Sequence, residues 1–139
     1  MKILECSSKG DKRFSAFYAY INLYGKYDSI EHHYQGCKRF YTQPTKIKGA
    51  IPDYIEINNI KYESKYLTPF YKLLWVKYLD NNPQLVEYAK QFDDFNDLFK
   101  GKSINCQADV VRQYVKCGRK DIMNEVIVRE FINKVKETN

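Results

Sequence analysis

The sequence predicts a mainly α fold, an α-rich α+β arrangement of about five to six helices crossing as an orthogonal bundle, with short β-hairpins. Three observations carry that expectation. Apolar residues recur at helical spacing through the C-terminal two thirds, behind helix-start signals at Thr68-Pro69 and Asn82-Pro83. The N-terminal third is aromatic and β-prone instead. The chain has 139 residues, 44% of them hydrophobic, which is enough for one core of ordinary size, so residues 1–139 are read as one domain.

Taken in order, Arg13 to Leu23 carries Phe14, Phe17, Tyr18, Tyr20, Ile21 and Leu23, a strand-forming composition, and Tyr24-Gly25-Lys26 reads as a turn. A helix is expected from Asp28 or Ser29 to about Tyr41, with Pro44 just beyond its end, and the other helices pack around it. Tyr54 to Tyr62 alternates about Asn58-Asn59 as a hairpin does. Thr68 is the expected N-cap of a helix reaching Asp80, with Pro69 at its first position. Asn82-Pro83 opens another, which uses Leu85, Val86, Ala89 and Phe92 on one face. Asp94 to Phe99 is expected to add a helical turn or two. Gln107–Cys117 and Asp121–Lys136 are the last two helices, parted by Gly118, and Ile122, Val126, Ile127 and Phe131 form the final apolar stripe.

Composition excludes several classes. No apolar stretch approaches the roughly 18 to 20 residues of a membrane span, and the first residues lack the apolar centre of a signal peptide, so a cytoplasmic, non-membrane protein is expected. Cys6, Cys37, Cys106 and Cys117 form no C-x-x-C pair, so they read as reduced and mostly buried, with neither metal nor cofactor expected. The net charge of +6 suits an anionic partner. Lysine outnumbers arginine 18 to 5, however, and an AT-rich genome would encode the same bias.

One segment concentrates chemistry: Ser29-Ile30-Glu31-His32-His33-Tyr34-Gln35-Gly36-Cys37-Lys38-Arg39. On a helix, Ile30, His33, Tyr34, Cys37 and Tyr41 share a buried face, while Glu31, Gln35 and Lys38 form a polar stripe along its edge. Glu31 and Lys38 would then stand about 10.5 Å apart along the axis. A small substrate could lie across that stripe. Two plainer readings stand beside this one. Asp28-x-x-Glu31 matches a capping box, and Lys38-Arg39 suits a solvated helix end. The adjacent His32 and His33 point about 100° apart and cannot share a metal.

The run Ser29-Ile30-Glu31-His32-His33-Tyr34-Gln35-x-x-Lys38 resembles the S-x-E-H-x-Y-Q-x-x-K motif of the NADAR (YbiA-like) family. Phe14-Ser15-Ala16-Phe17-Tyr18 resembles that family's L-S-N-F-Y stretch, and Asn82-Pro83-x-Leu85 its N-P-x-L segment. The family's D-x-x-W-G element is missing, since the chain's only tryptophan is Trp75, well upstream; Asn105-Cys106-Gln107-Ala108-Asp109 stands in its place.

The resemblance implies a mainly helical fold and cleavage of N-glycosidic bonds in ADP-ribosyl or other nucleotide-derived substrates, including removal of ADP-ribose from guanine. Cleaving a C1′–N bond passes through an oxocarbenium-like state, which a carboxylate stabilises; Glu31 is the candidate. Lys38 is the second catalytic candidate, as a phosphate-binding ammonium or, with its pKa lowered, as an amine that attacks the anomeric carbon. Tyr34 and Gln35 would hold the ribose or base, Arg13 and Lys12 a pyrophosphate, and Phe17 and Tyr18 a stacked base. Asp11, Asn105 and Gln107 complete the candidate substrate-binding set. Three alternatives stay open: a non-catalytic binder of nucleotides or nucleic acid, a glycosylase acting on modified bases in DNA, and an interaction protein with a degenerate site.

Overall fold

The computed structural model describes residues 1–42, 51–99 and 105–138. Among them are six α-helices and seven short strands, an α-rich α+β fold as the sequence predicts. Pro44, the expected stop of the first helix, lies outside the described residues.

The N-terminal segment is less of a strand than its composition suggests. It opens with β1 (Ile3–Glu5) and a 3-10 turn at Lys12–Phe14, and only Tyr20–Leu23 is extended (β2). The β2 strand pairs antiparallel with β3 (Lys26–Ser29) around Tyr24-Gly25, whose φ angles of 51° and 84° make the tight turn that hairpins favour.

The first helix, α1, is shorter than expected. It runs Ile30–Gly36, and Lys38–Arg39 become strand β4, pairing with β5 (Tyr54–Ile57). Gly36 weakens the helix at its end, and Lys38 and Arg39 find ladder partners in Ile55 and Tyr54. Tyr41 is therefore 79% exposed rather than part of a buried face. A helix of seven residues cannot hold itself together. Burial of Ile30 and Tyr34 and the Ser29 cap, whose hydroxyl accepts from the His32 N–H at 3.0 Å, keep it folded. Ser29→Ala is therefore expected to lower stability by about 1 kcal/mol, a fall in Tm of about 3 °C. A melt unchanged to within a degree or so would show that packing alone holds α1.

The hairpin about Asn58-Asn59 forms as expected. Strands β5 and β6 (Ile60–Glu63) pair antiparallel, and both asparagines take positive φ. Helix α2 (Leu67–Asp80) begins one residue before Thr68, which is not its cap, and it buries Phe70, Tyr71, Leu74, Trp75 and Leu79. It touches α1, α3, α4, α6 and β2, so α2, not α1, is the helix around which the others gather. Helix α3 (Pro83–Ala89) starts with Pro83 at its first position, as the Asn82-Pro83 signal indicates.

Asp94 to Phe99 corrects a second expectation. Asp94–Asn96 is strand β7, which pairs parallel with β1, turning Phe95 inward and its neighbours outward. Two three-residue strands carry almost no pattern, and only their meeting in space defines them. Helix α4 (Gln107–Arg112) passes into a wider π-type turn at Gln113–Cys117. The expected final helix is two: α5 (Arg119–Met123) and α6 (Val126–Thr138). The break between them leaves Val126 80% exposed, while Ile122, Val128 and Phe131 are buried.

All four cysteines are free; Cys6 and Cys37 are buried, Cys106 half-buried, and Cys117 exposed, against the expectation for that residue. Among the described residues no helix is long and apolar enough to cross a membrane.

Candidate functional site

The N-terminus of α1 is tied to the turn that precedes β2. The Ile30 N–H donates to the Ala19 carbonyl at 2.8 Å and the Glu31 N–H to the Ala16 carbonyl at 3.0 Å. Ala16 in turn donates its N–H to the Gln107 side-chain oxygen at 2.7 Å, a buried bond that brings the start of α4 to the same place. These links converge on a half-open cavity of about 270 Å³. Glu31, Ala16 and Phe17 form one wall and Asn105 and Gln107 another; Ser8, Tyr71, Asp97 and Phe99 complete the lining.

Glu31 is free of the capping duty that its spacing suggested. Ser29 caps the helix, and Asp28 accepts from the Ser29 N–H at 2.8 Å and meets His32 Nδ1 at 2.8 Å. The Glu31 carboxylate accepts instead from Gln35 Nε2 at 3.2 Å and faces the cavity. His32 and His33 part as expected, His33 Nε2 lying 3.2 Å from the Ile21 carbonyl.

Behind the cavity wall stands Tyr34, buried, its hydroxyl accepting from Asn105 Nδ2 at 2.8 Å and its ring edge-on to Tyr71 at 4.8 Å between centroids. Burial raises the Tyr34 and Tyr71 hydroxyls above their ordinary 10, and the Glu31 charge adds to both rises. Tyr71 is thereby kept neutral where it lines the cavity. Lys38 leaves the helical stripe, because it sits on β4, yet its ammonium still lies 4.7 Å from the Tyr34 ring centre. Burial lowers the Lys38 pKa from 10.5, and the nearby Glu31 carboxylate opposes the fall only in part. The separation of about 10.5 Å along one helix therefore does not apply.

The structure brings Glu31, Phe17, Asn105 and Gln107 together in the cavity, with Tyr34 and Gln35 one contact away and Lys38 against the Tyr34 ring. Asp11, Arg13, Lys12 and Tyr18 are placed elsewhere. Asp11 takes both a 2.9 Å and a 2.7 Å bond from the Arg13 guanidinium, which lies 4.6 Å from the Tyr88 ring centre. Lys12 stands 4.9 Å from that of Tyr18. None of the four lines the cavity with Glu31.

Asp97 is the residue that the motif reading missed. It is buried, accepts from the Phe99 N–H at 3.0 Å, and gives the cavity a second carboxylate. Its loop is held by Glu5, which accepts from the Leu98 and Ser7 N–H groups at 3.2 and 3.0 Å. Gly10 permits that clamp, since a Cβ there would stand 2.3 Å from the Glu5 carbonyl oxygen. The signal was present in Asp97-Leu98-Phe99-Lys100-Gly101, which keeps the aspartate and glycine of D-x-x-W-G and replaces only the tryptophan.

A second cavity of about 270 Å³, between α2 and α6, is lined by Leu73, Phe131, Ile132 and other apolar residues, with Lys77 and Lys136 its only ionisable groups besides Tyr24. It holds no carboxylate, whereas the first cavity holds Glu31 and Asp97.

A model of the family described as DarT1-associated NADAR antitoxin matches residues 42–139, and the chain belongs to that family. The match takes in Tyr71, Asp97, Asn105 and Gln107; Glu31 and Lys38 precede it. No curated protein matches the chain.

Proposed function

We propose that the chain is an N-glycosidase-type hydrolase that removes ADP-ribose from a nucleobase. The observation that carries this reading is the Glu31 carboxylate, unused as a cap and turned into a cavity that also holds Asp97 and the neutral Tyr71 hydroxyl. As the C1′–N bond lengthens, positive charge gathers on C1′ and the ring oxygen. Glu31 stabilises that charge, in a site sheltered enough for the interaction to exceed its strength in water.

Asp97 positions the ribose or the attacking water, Asn105 and Gln107 present amides to hydroxyl groups, and Phe17 offers an apolar face to the base. Tyr71, held protonated, donates to the departing base. Lys38 is the candidate nucleophile: its Nζ bonds to C1′ as the C1′–N bond breaks, and the base leaves with the electron pair and takes up a proton. Loss of a proton from the amine and opening of the ribose ring give an imine, which water hydrolyses to free ADP-ribose and the original lysine. The family's description as an antitoxin accords with an enzyme that undoes a modification.

The test is incubation with an ADP-ribosylated guanine nucleoside, followed by mass spectrometry for free ADP-ribose and the unmodified nucleoside. Binding without release of either product would leave the protein a nucleotide binder.

A further inference from the structure

Helix α2 serves two cavities. It presents Tyr71 to the Glu31 site and Phe70, Leu73, Leu74 and Lys77 to the groove it forms with α6. At 100° per residue, Leu73 and Lys77 lie about 40° apart and each stands about 120° or more from Tyr71, so the two cavities open on different faces of the helix. On the α6 side the groove is walled by Phe131, Ile132, Val135 and Lys136. Leu73, Ile132 and Val135 pack against the core yet stay half-buried, which leaves apolar surface of both helices facing water in one concavity.

The size of the groove and its charge narrow what it takes. Its volume is about 270 Å³. A cavity of roughly 150 Å³ suffices for benzene, so this one takes an apolar body of about ten carbon atoms. Its only charged side chains are Lys77 and Lys136, one from each wall helix. Among the described residues neither lies in an ion pair with a carboxylate. The neighbouring lysines differ: Lys72, also on α2, meets Glu125 at 2.8 Å, and Lys65 meets Glu130 of α6 at 3.1 Å. The two free ammoniums attract an anionic head group and repel a cationic one, and the net charge of +6 acts in the same direction.

We propose that the groove between α2 and α6 binds a small amphipathic monocarboxylate, an apolar body of about ten carbon atoms seated on Leu73, Ile132 and Val135 with its carboxylate at Lys77 and Lys136. A bilayer surface does not fit, because the apolar side chains lie inside a concavity that a flat surface cannot enter. The site stands apart from the hydrolase reading, since no residue of this groove lines the Glu31 cavity.

The test is isothermal titration calorimetry of the full chain with decanoate, decanol and decyltrimethylammonium, each below its micelle concentration. Two temperatures are used, because burial of apolar surface changes the heat capacity even where the heat itself vanishes. Decanoate is expected to bind at least about tenfold more tightly than decyltrimethylammonium, and added salt should weaken decanoate alone. Lys77→Ala/Lys136→Ala should weaken decanoate by about tenfold and decanol by no more than about twofold. Ile132→Gln puts a polar group at a half-buried position of the wall and should weaken both; Val135→Gln serves the same purpose if the first variant does not melt cooperatively. No saturable binding of decanoate, equal affinity for decyltrimethylammonium, or a double alanine variant that binds decanoate as the wild type does overturns the proposal. A dimer in sedimentation that Ile132→Gln dissociates would give the groove to a second copy of the chain. Tighter binding of an acidic amphipathic peptide than of decanoate would give it to a protein partner, and either result overturns the carboxylate site.

Discussion

Glu31→Gln is expected to lower release of ADP-ribose from a modified guanine nucleoside by about 100-fold or more, some 2.7 kcal/mol of transition-state stabilisation. The substitution changes charge and little else. Glutamine has nearly the volume of glutamate, and the cap of α1 belongs to Ser29. The melting curve should accordingly stay within about 0.5 kcal/mol of the wild type. Substrate binding should change less than turnover, because a neutral amide still hydrogen-bonds ribose hydroxyls but cannot oppose the charge that develops on C1′. A variant that keeps more than about a tenth of the wild-type rate would remove Glu31 from the chemistry and shift attention to Asp97, the other carboxylate in the cavity.

Much of the fold is legible in the sequence where local signals agree with the tertiary answer. Asn58-Asn59 and Tyr24-Gly25 mark their hairpins, and Pro83 marks the start of α3, because each encodes a backbone geometry that few other residues adopt. The failures share a physical cause. Lys38 and Arg39 continue a helical pattern but join a ladder with Ile55 and Tyr54; Asp94–Asn96 is a strand only because Ile3–Glu5 lies beside it. Pairing partners so distant in sequence leave no periodic trace.

The site divides in the same way. Glu31, Phe17, Asn105 and Gln107 could be picked out by residue type and motif, and they converge on one cavity. Arg13 could not be placed by type, since its guanidinium serves Asp11 and Tyr88 as readily as a pyrophosphate. Asp97 was hidden by the lost tryptophan of its motif, and Tyr71 by the helical face that reads only as core.

Lys38→Arg carries the other large expected effect, and it decides between two roles that Lys38→Ala would confuse. Arginine keeps the positive charge and binds phosphate well, but it does not deprotonate and cannot become a nucleophilic amine. If Lys38 only holds phosphate, the arginine variant keeps most of its kcat with a modest change in KM. If the amine attacks C1′, kcat falls by about a thousandfold or more in both variants. The sign of the pKa shift supports attack. Burial favours the neutral amine and lowers its pKa from 10.5, so turnover should rise as pH climbs through that lowered value and level off before 10.5 is reached. Borohydride added during turnover should then trap an ADP-ribosyl adduct on Lys38, visible as a mass increase on its peptide. Its absence, together with an active Lys38→Arg variant and a flat pH profile, would leave Lys38 as a phosphate-binding ammonium and require water to attack C1′ directly. Glu31 would then stabilise the cation, and Asp97, across the same cavity, would activate the water.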